Sequence, residues 1–283
     1  MVHELSDFEY QLIRLALKED LGSGDITSLA TIGPEMTGAG FVRAKKPLIL
    51  AGLPYAKAVF HQVDPSIEFK ALKKDGERLE SGEAAAEVGG NLRSLLTGER
   101  LALNLLQRLC GVATMTAQLV EQAKGYPARI TDTRKTTPLW RRAEKYAVAL
   151  GGGVNHRMGL YDAVLIKDNH IDANESAAAA VKKAREYCGD GVEIIVEIRN
   201  IREVDPAIEA GATRLLLDNM PADGLAECVQ LINGRAQAEA SGSVTLEKVR
   251  DIAATGVDFI SVGALTHSPV AADLNFKIRI DGS

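Results

Sequence analysis

The sequence predicts a mixed α/β protein in two parts: an α+β half on a largely antiparallel sheet, then a half of parallel strands joined by helices. Three observations carry this. Between residues 38 and 90, strand-like runs are punctuated by turn signals (Lys46-Pro47, Asp64-Pro65, Asp75-Gly76, Ser81-Gly82), with a single short helix around Lys57. From residue 128 onward, short apolar runs alternate with helical stretches, the rhythm of a parallel sheet with helical crossovers. The composition, 46% apolar and 25% charged over 283 residues, is that of a globular chain long enough for one large or two modest domains.

Taken in order, residues 6–21 read as an opening helix. Ser6 or Asp7 can cap it, Phe8, Leu12, Leu15 and Ala16 fall at helical spacing, and Gly22 can end it. Strands are expected at 38–45, 48–51, 67–72 and 84–88. A long helix should run over 95–109, be interrupted at Gly111, and resume to about residue 124. Six strands then follow at 128–131, 163–166, 193–198, 214–217, 236–240 and 259–262. Six are too few for a standard eight-unit barrel, so pattern alone leaves a doubly wound sheet or an abbreviated barrel. Residues 274–280 alternate apolar and polar, the mark of a half-exposed strand that returns to the first half.

Several function classes are excluded at this level. A net charge of −5 disfavours a nucleic-acid partner, and no apolar run approaches the ~20 residues of a membrane span. The first ten residues lack an apolar signal core, so a cytoplasmic protein is expected. Cys110, Cys188 and Cys228 are far apart and odd in number; they read as three buried small side chains in a reducing compartment.

Charge is concentrated where chemistry is expected. Residues 129–170 hold eight cations against four acids, a local +4, while the remainder of the chain carries −9. That pattern suits a small anionic ligand. Arg141, Arg142 and Lys145 sit in a helical stretch and read as its solvated face. Arg134, Lys135, Arg157 and Lys167 adjoin short apolar runs and fit that explanation less well.

Each strand of the second half also ends on a polar tag: Asp132-Thr133-Arg134-Lys135, Lys167-Asp168-Asn169-His170, Glu197, Asp218-Asn219, Glu239-Ala-Ser241-Gly242-Ser243, and Ser261-Val-Gly263. Parallel α/β folds place all such ends on one rim, where ligands bind. Arginine suits carboxylate or phosphate through paired N–H bonds, and lysine serves as a point charge. Glu197 and Asp218 offer hard oxygens of the kind magnesium takes, completed by phosphate and water; each also reads as a salt-bridge partner or a helix cap. Ser241-Gly242-Ser243 and Gly263 can offer backbone N–H groups to phosphate. His156 reads either as a ligand or as a satisfied buried imidazole, and Gly151-Gly152-Gly153 as a flexible turn. Together these groups describe one substrate bearing carboxylates, another bearing phosphates, and a divalent cation.

Asp132-Thr-Arg-Lys-Thr136, Gly151-Gly-Gly-Val-Asn-His-Arg157 and Leu165-Ile-Lys-Asp-Asn-His170 resemble the quinolinate phosphoribosyltransferase family. The resemblance extends from Glu19-Asp-Leu-Gly-Ser-Gly-Asp-Ile-Thr27 through Gly98-Glu-Arg-Leu-Ala-Leu-Asn104 to Val262-Gly-Ala-Leu-Thr-His-Ser268. It implies an α/β architecture. An N-terminal α+β open sandwich would span residues 1–106, joined by a C-terminal strand at 273–283. An incomplete α/β barrel of six to seven strands would span 107–272. It implies conversion of quinolinate and phosphoribosyl pyrophosphate to nicotinate mononucleotide, pyrophosphate and CO2, in de novo NAD biosynthesis. It also implies a homodimer with shared active sites, with further assembly to a hexamer left open.

Matched by motif, Arg134, His156, Arg157 and Lys167 would hold the quinolinate carboxylates beside Thr133, with Arg100 reaching in from the neighbouring subunit. Lys135, Glu197 and Asp218 would be catalytic, the two carboxylates also holding magnesium partly through substrate phosphates. Ser241, Gly242, Ser243, Gly263 and His267 would bind phosphate. Two positions depart from the family pattern: Ser243 stands where glycine is usual, and Arg199 where an acid is common. The intact Arg134-Lys135 and His156-Arg157 pairs argue against a relative acting on another acid. Glu197 and Asp218 argue against a non-catalytic binder.

Overall fold

The computed structural model describes residues 3–282, and the chain divides into two compact units. One takes in the chain up to Met115 together with the stretch from Pro269, and the other is Thr116–Ser268.

The first unit opens with α1 (Asp7–Leu21), capped by Ser6, one of the two candidates in the sequence, in a reciprocal capping box with Glu9. Its buried face is not the expected one. Glu9, Leu12, Ile13 and Leu17 turn inward, whereas Phe8 and Leu15 are 51% and 62% exposed. The polar Glu9 can face the core because it accepts hydrogen bonds from Ser6 and the buried Tyr55 hydroxyl. After α2 (Ile26–Thr31) come β1 (Thr37–Ala44), β2 (Leu48–Ile49), α3 (Leu53–Val63), β3 (Glu68–Ala71), β4 (Arg78–Leu79) and β5 (Ala84–Asn91). β5 leads directly into α4 (Leu92–Ala123). The last strand of the chain, β12 (Leu274–Ile280), pairs antiparallel with β1, giving a four-stranded sheet of order β12-β1-β5-β3. β2 and β4 pair apart from it, and β4 is too short to leave a pattern in the sequence. Tyr55, Phe60, Leu95 and Leu106 are fully buried in the core of this unit.

The expected break at Gly111 does not occur: α4 is one helix of 32 residues. A Cβ on Gly111 would lie 2.3 Å from the Val270 carbonyl oxygen, so glycine here serves close packing and not helix termination. The expected domain boundary at 106/107 and the division between the two units both fall within this helix.

The second unit alternates strand and helix: β6 (Arg129–Thr131), α5 (Arg141–Leu150), β7 (Val164–Ile166), α6 (Asp168–Asp172), α7 (Ala177–Cys188), β8 (Ile194–Ile198), α8 (Val204–Glu209), β9 (Arg214–Asp218), α9 (Ala222–Ile232), β10 (Gln237–Ser241), α10 (Val249–Ala254), β11 (Phe259–Ser261) and α11 (Ala264–His267). The six strands are parallel in the order β6-β11-β10-β9-β8-β7. From β7 to β11 every strand lies beside its sequence neighbour, with no reversal of winding. This excludes the doubly wound alternative and makes an open barrel whose gap lies between β6 and β7. On the gap side of β6, Val154 makes a single parallel bridge to Thr131. Ile130, Ile194, Val196, Leu215, Leu217 and Ile260 are buried together on one face of this sheet. The triple glycine makes the expected turn, with Gly152 at φ +87°, and also serves packing, since a Cβ on Gly153 would meet Thr116 and Val148 side chains at 2.8 Å. Among the cysteines, Cys110 and Cys228 are buried, while Cys188, expected inside, is half-exposed at the end of α7.

Candidate active site

Because the strands are parallel, their C-terminal ends share one rim, and a cavity of about 750 Å³ opens there. Thr133, Arg134 and Lys135 follow β6, Lys167 follows β7, Glu197 lies near the end of β8, and Asp218 ends β9. Ser241, Gly242 and Ser243 follow from β10, with Gly263 and His267 beyond β11. His156 and Arg157 enter from the loop after α5. All the predicted site residues therefore line this one cavity except Arg100, whose side chain is 60% exposed on α4 and is not among the lining groups.

The cationic side is crowded. Burial, and then repulsion from Arg134, lower the Arg157 guanidinium below its ordinary range. Arg157 Nη1 donates to the Ala163 carbonyl at 2.9 Å, while its buried Nε has no partner among the described residues. Two neighbouring guanidiniums that repel each other, one with an unsatisfied donor, leave a demand for anionic oxygen. His156 lines the cavity, and its Nδ1 accepts the Arg157 backbone N–H at 2.7 Å. Its Nε2 lies 3.6 Å from Glu239 Oε1.

The opposite side is anionic. Burial, and then the Asp218 and Asp168 charges, raise the Glu197 carboxyl above its ordinary value. Asp218-Asn219 does not cap the next helix, since Pro221 occupies that position. Asn219 instead adopts a left-handed φ of 54°, and a Cβ on Gly242 would come within 2.1 Å of its amide oxygen. Gly242 is thus obligatory, and Ser243 beside it takes φ +46°, the conformation glycine would adopt without strain. Gly263 brings Lys135 and His267 together, with a Cβ position 3.1 Å from Lys135 Cδ and 3.2 Å from His267 Nε2. Thr266 Oγ1 donates to the Lys135 carbonyl at 2.8 Å and so ties α11 to the Lys135 loop.

Three features were read only in part from the sequence. Glu239, on β10, is a buried carboxylate in the cavity floor. Burial alone would raise it, but His156, Ser261 and Arg214 outweigh burial and hold it below the usual range. Its signal was alternation: Gln237, Glu239 and Ser241 share one face of β10, with Ala238 and Ala240 on the other. The helix α5 is also not the solvated surface expected. Arg142 is exposed, but Lys145 is only 1% exposed and pairs with buried Asp132. Arg141 donates to Thr136 Oγ1 at 2.9 Å and to the Met158 carbonyl at 3.0 Å, bracing both loops of the cationic side. Lastly, Arg199 pairs with Asp172 at 2.7 Å and donates to the Asp168 carbonyl, joining the end of β8 to α6.

Comparison with known proteins agrees with this geometry. Residues 112–277 match the family model for the quinolinate phosphoribosyl transferase C-terminal domain, and residues 25–110 that for the N-terminal domain. A probable nicotinate-nucleotide pyrophosphorylase (carboxylating) of Synechocystis is 47% identical over 266 residues, 93% of this chain and 90% of that protein. Its Bacillus subtilis counterpart is 44% identical over 262 residues, again 93% and 90%. The solved nicotinate-nucleotide pyrophosphorylase of Francisella tularensis superposes with a TM-score of 0.94 at 38% identity, covering 98% of each chain. With both halves matched and relatives this similar along nearly its whole length, the chain belongs to the quinolinate phosphoribosyltransferase family.

Proposed function

We infer that the protein is a nicotinate-nucleotide pyrophosphorylase of the carboxylating class, making nicotinate mononucleotide, pyrophosphate and CO2 from quinolinate and phosphoribosyl pyrophosphate in de novo NAD biosynthesis. The observation that carries this is a single cavity with two crowded guanidiniums on one side and two strand-end carboxylates on the other. A pyridine dicarboxylate answers the first side, and an activated sugar that becomes cationic answers the second.

In this reading Arg134, Arg157, Lys167 and His156 grip the ring carboxylates and aim the pyridine nitrogen at C1 of the ribose. As the C1–O bond to pyrophosphate breaks, positive charge builds on the sugar, and Glu197 and Asp218 stabilise it. Lys135 faces the departing pyrophosphate, whose phosphates are also received by Ser241, Gly242, Ser243, Gly263 and His267. The nitrogen–C1 bond leaves the ring quaternised. As the 2-carboxylate departs as CO2, the electron pair left at C2 is stabilised by the adjacent ring cation, and a proton from water then takes the carboxylate's place. No protein nucleophile is required. Holding two reactants in line supplies on the order of 7–11 kcal/mol.

The donor set suits magnesium: two hard carboxylates crowd one another, and burial with mutual repulsion already raises Glu197. Glu197 and Asp218 would hold the ion, partly through substrate phosphates, and when bound it would neutralise charge on the pyrophosphate.

A homodimer with shared sites fits the apolar residues each unit leaves open, Phe8, Leu15, Ile26 and Leu29 in the first and Leu139, Leu160 and Tyr161 in the second. It would also give Arg100 its role, in the partner's cavity. Among the described residues no helix is long and apolar enough to cross a membrane. Three free thiols suit a cytoplasmic setting.

The test is turnover by the purified protein with phosphoribosyl pyrophosphate and either quinolinate or nicotinate. Magnesium-dependent release of CO2 from quinolinate is expected. Use of nicotinate in preference to quinolinate would reject the reading.

A further inference from the structure

Under the cationic side of the cavity lies a buried ion pair that the scheme above leaves without a task. Asp132, just past β6, is 0% exposed, and Lys145 on α5 is 1% exposed. Lys145 Nζ donates to Asp132 Oδ1 and, at 2.9 Å, to the carbonyl oxygen of His156. The same Asp132 oxygen accepts the His156 backbone N–H at 2.8 Å. Both backbone polar groups of one residue are thus held by one ion pair. The side-chain amide of Asn155, in the orientation that satisfies its neighbours, adds a donor to Asp132 Oδ2 at 2.7 Å.

What the pair holds is a segment without a ladder of its own. Residues 154–157 belong to no helix or strand, and beyond the Thr131–Val154 bridge and the loop's own bonds they depend on such side-chain anchors. Yet this segment carries Arg157, which must sit beside Arg134 against their repulsion.

Stability alone is a poor explanation for the pair. Removing two charges from water costs several kcal/mol for each, and apolar side chains of similar volume commonly do as well or better. Burial pushes the Asp132 carboxyl up and the Lys145 ammonium down, so mutual attraction offsets only part of that cost. The compensation lies in geometry: a lysine and a carboxylate together satisfy an N–H and a C=O that an apolar pair would strand.

We propose that Asp132 and Lys145 are positioning residues for quinolinate, fixing the backbone of His156 so that His156 and Arg157 meet the ring carboxylates. The proposal rests on the family reading of the substrate and adds residues that touch no reactant.

The experiment combines steady-state kinetics with thermal unfolding for the wild type, Lys145→Met, Asp132→Asn, and the double variant Asp132→Asn/Lys145→Met. In Lys145→Met the KM for quinolinate should rise about tenfold or more, while that for phosphoribosyl pyrophosphate stays within about twofold. The double variant, with no unpaired buried charge, should regain much of the lost Tm yet keep the raised quinolinate KM. Recovery of both together would show a merely structural pair and overturn the proposal, as would an unmoved quinolinate KM or equal changes for the two substrates. Should Lys145→Met fail to fold, Asn155→Ala removes one anchor from the exposed side. It should raise the quinolinate KM about threefold, and no rise would count as the same refutation. Absence of quinolinate turnover in the wild type would instead refute the substrate reading.

Discussion

Arg157 concentrates the chemistry of this site in one side chain. Its pKa is lowered by burial and by Arg134, and its Nε lacks a partner among the described residues, so it gains most when a carboxylate arrives. Arg157→Ala, and equally Arg134→Ala, should lower kcat/KM for quinolinate by about a hundredfold, the scale of a lost charge-assisted contact. Circular dichroism should remain that of the wild type, and wild-type turnover by either variant would reject the assignment. Arg157→Lys should restore little, because a point charge cannot reproduce the guanidinium fork. Glu197 makes the opposite case. Its carboxyl is raised in the folded protein, first by burial and then by Asp218 and Asp168. A raised acid favours the fold below its unfolded value, near 4.5, and that contribution is lost as pH rises through the folded value. At neutral pH the ionised Glu197 is therefore a local cost. Glu197→Gln should melt roughly 1–3 °C higher than the wild type at pH 8, and the gain should vanish below about pH 4.5, while activity collapses. A lower Tm at pH 8 would contradict this account of the anionic side.

Elements were legible in the sequence to the extent that one periodicity decided them. The six parallel strands follow their apolar runs, because a buried strand must be apolar on both faces. The helices were read less well, for two physical reasons. A polar stripe facing solvent and a polar stripe facing a buried charge have the same spacing, so Arg141, Arg142 and Lys145 on α5 look like one surface although Lys145 is buried. Likewise α1 carries apolar residues on more than one face, and spacing alone found Leu12 but did not choose Ile13 and Leu17 over Phe8 and Leu15. Glycine is equally ambiguous, as Gly111 shows. On helix propensity, Gly111→Ala would stabilise α4 by about 1 kcal/mol. The Val270 carbonyl, 2.3 Å from the new Cβ, reverses the sign. The variant should lose about 1–3 kcal/mol, as overpacked sites do. Chemical denaturation measures it directly, and a gain in stability would mean that the contact yields freely.

At the scale of the whole molecule, the cavity was foreseeable because parallel strands have only one C-terminal rim. Residues as far apart in sequence as Arg134 and Gly263 had to meet if the second half was such a sheet. The chain alone does not supply every predicted group, since Arg100 is exposed and outside the lining of the cavity. A shared-site dimer makes a quantitative statement about that residue. Suppose Arg100→Ala and Arg157→Ala are each inactive and are unfolded, mixed equally and refolded. Random pairing makes half of the dimers hybrids. In each hybrid one cavity combines the intact Arg157 of one subunit with the intact Arg100 of the other, and the second cavity lacks both. One site in four is then complete, so about a quarter of wild-type activity should return. Each variant refolded by itself should regain none, which separates complementation from slow refolding. Failure of the mixture under conditions where refolded wild type regains activity would place Arg100 outside the partner's site. Recovery well above a quarter would mean that hybrids form in preference to random pairing.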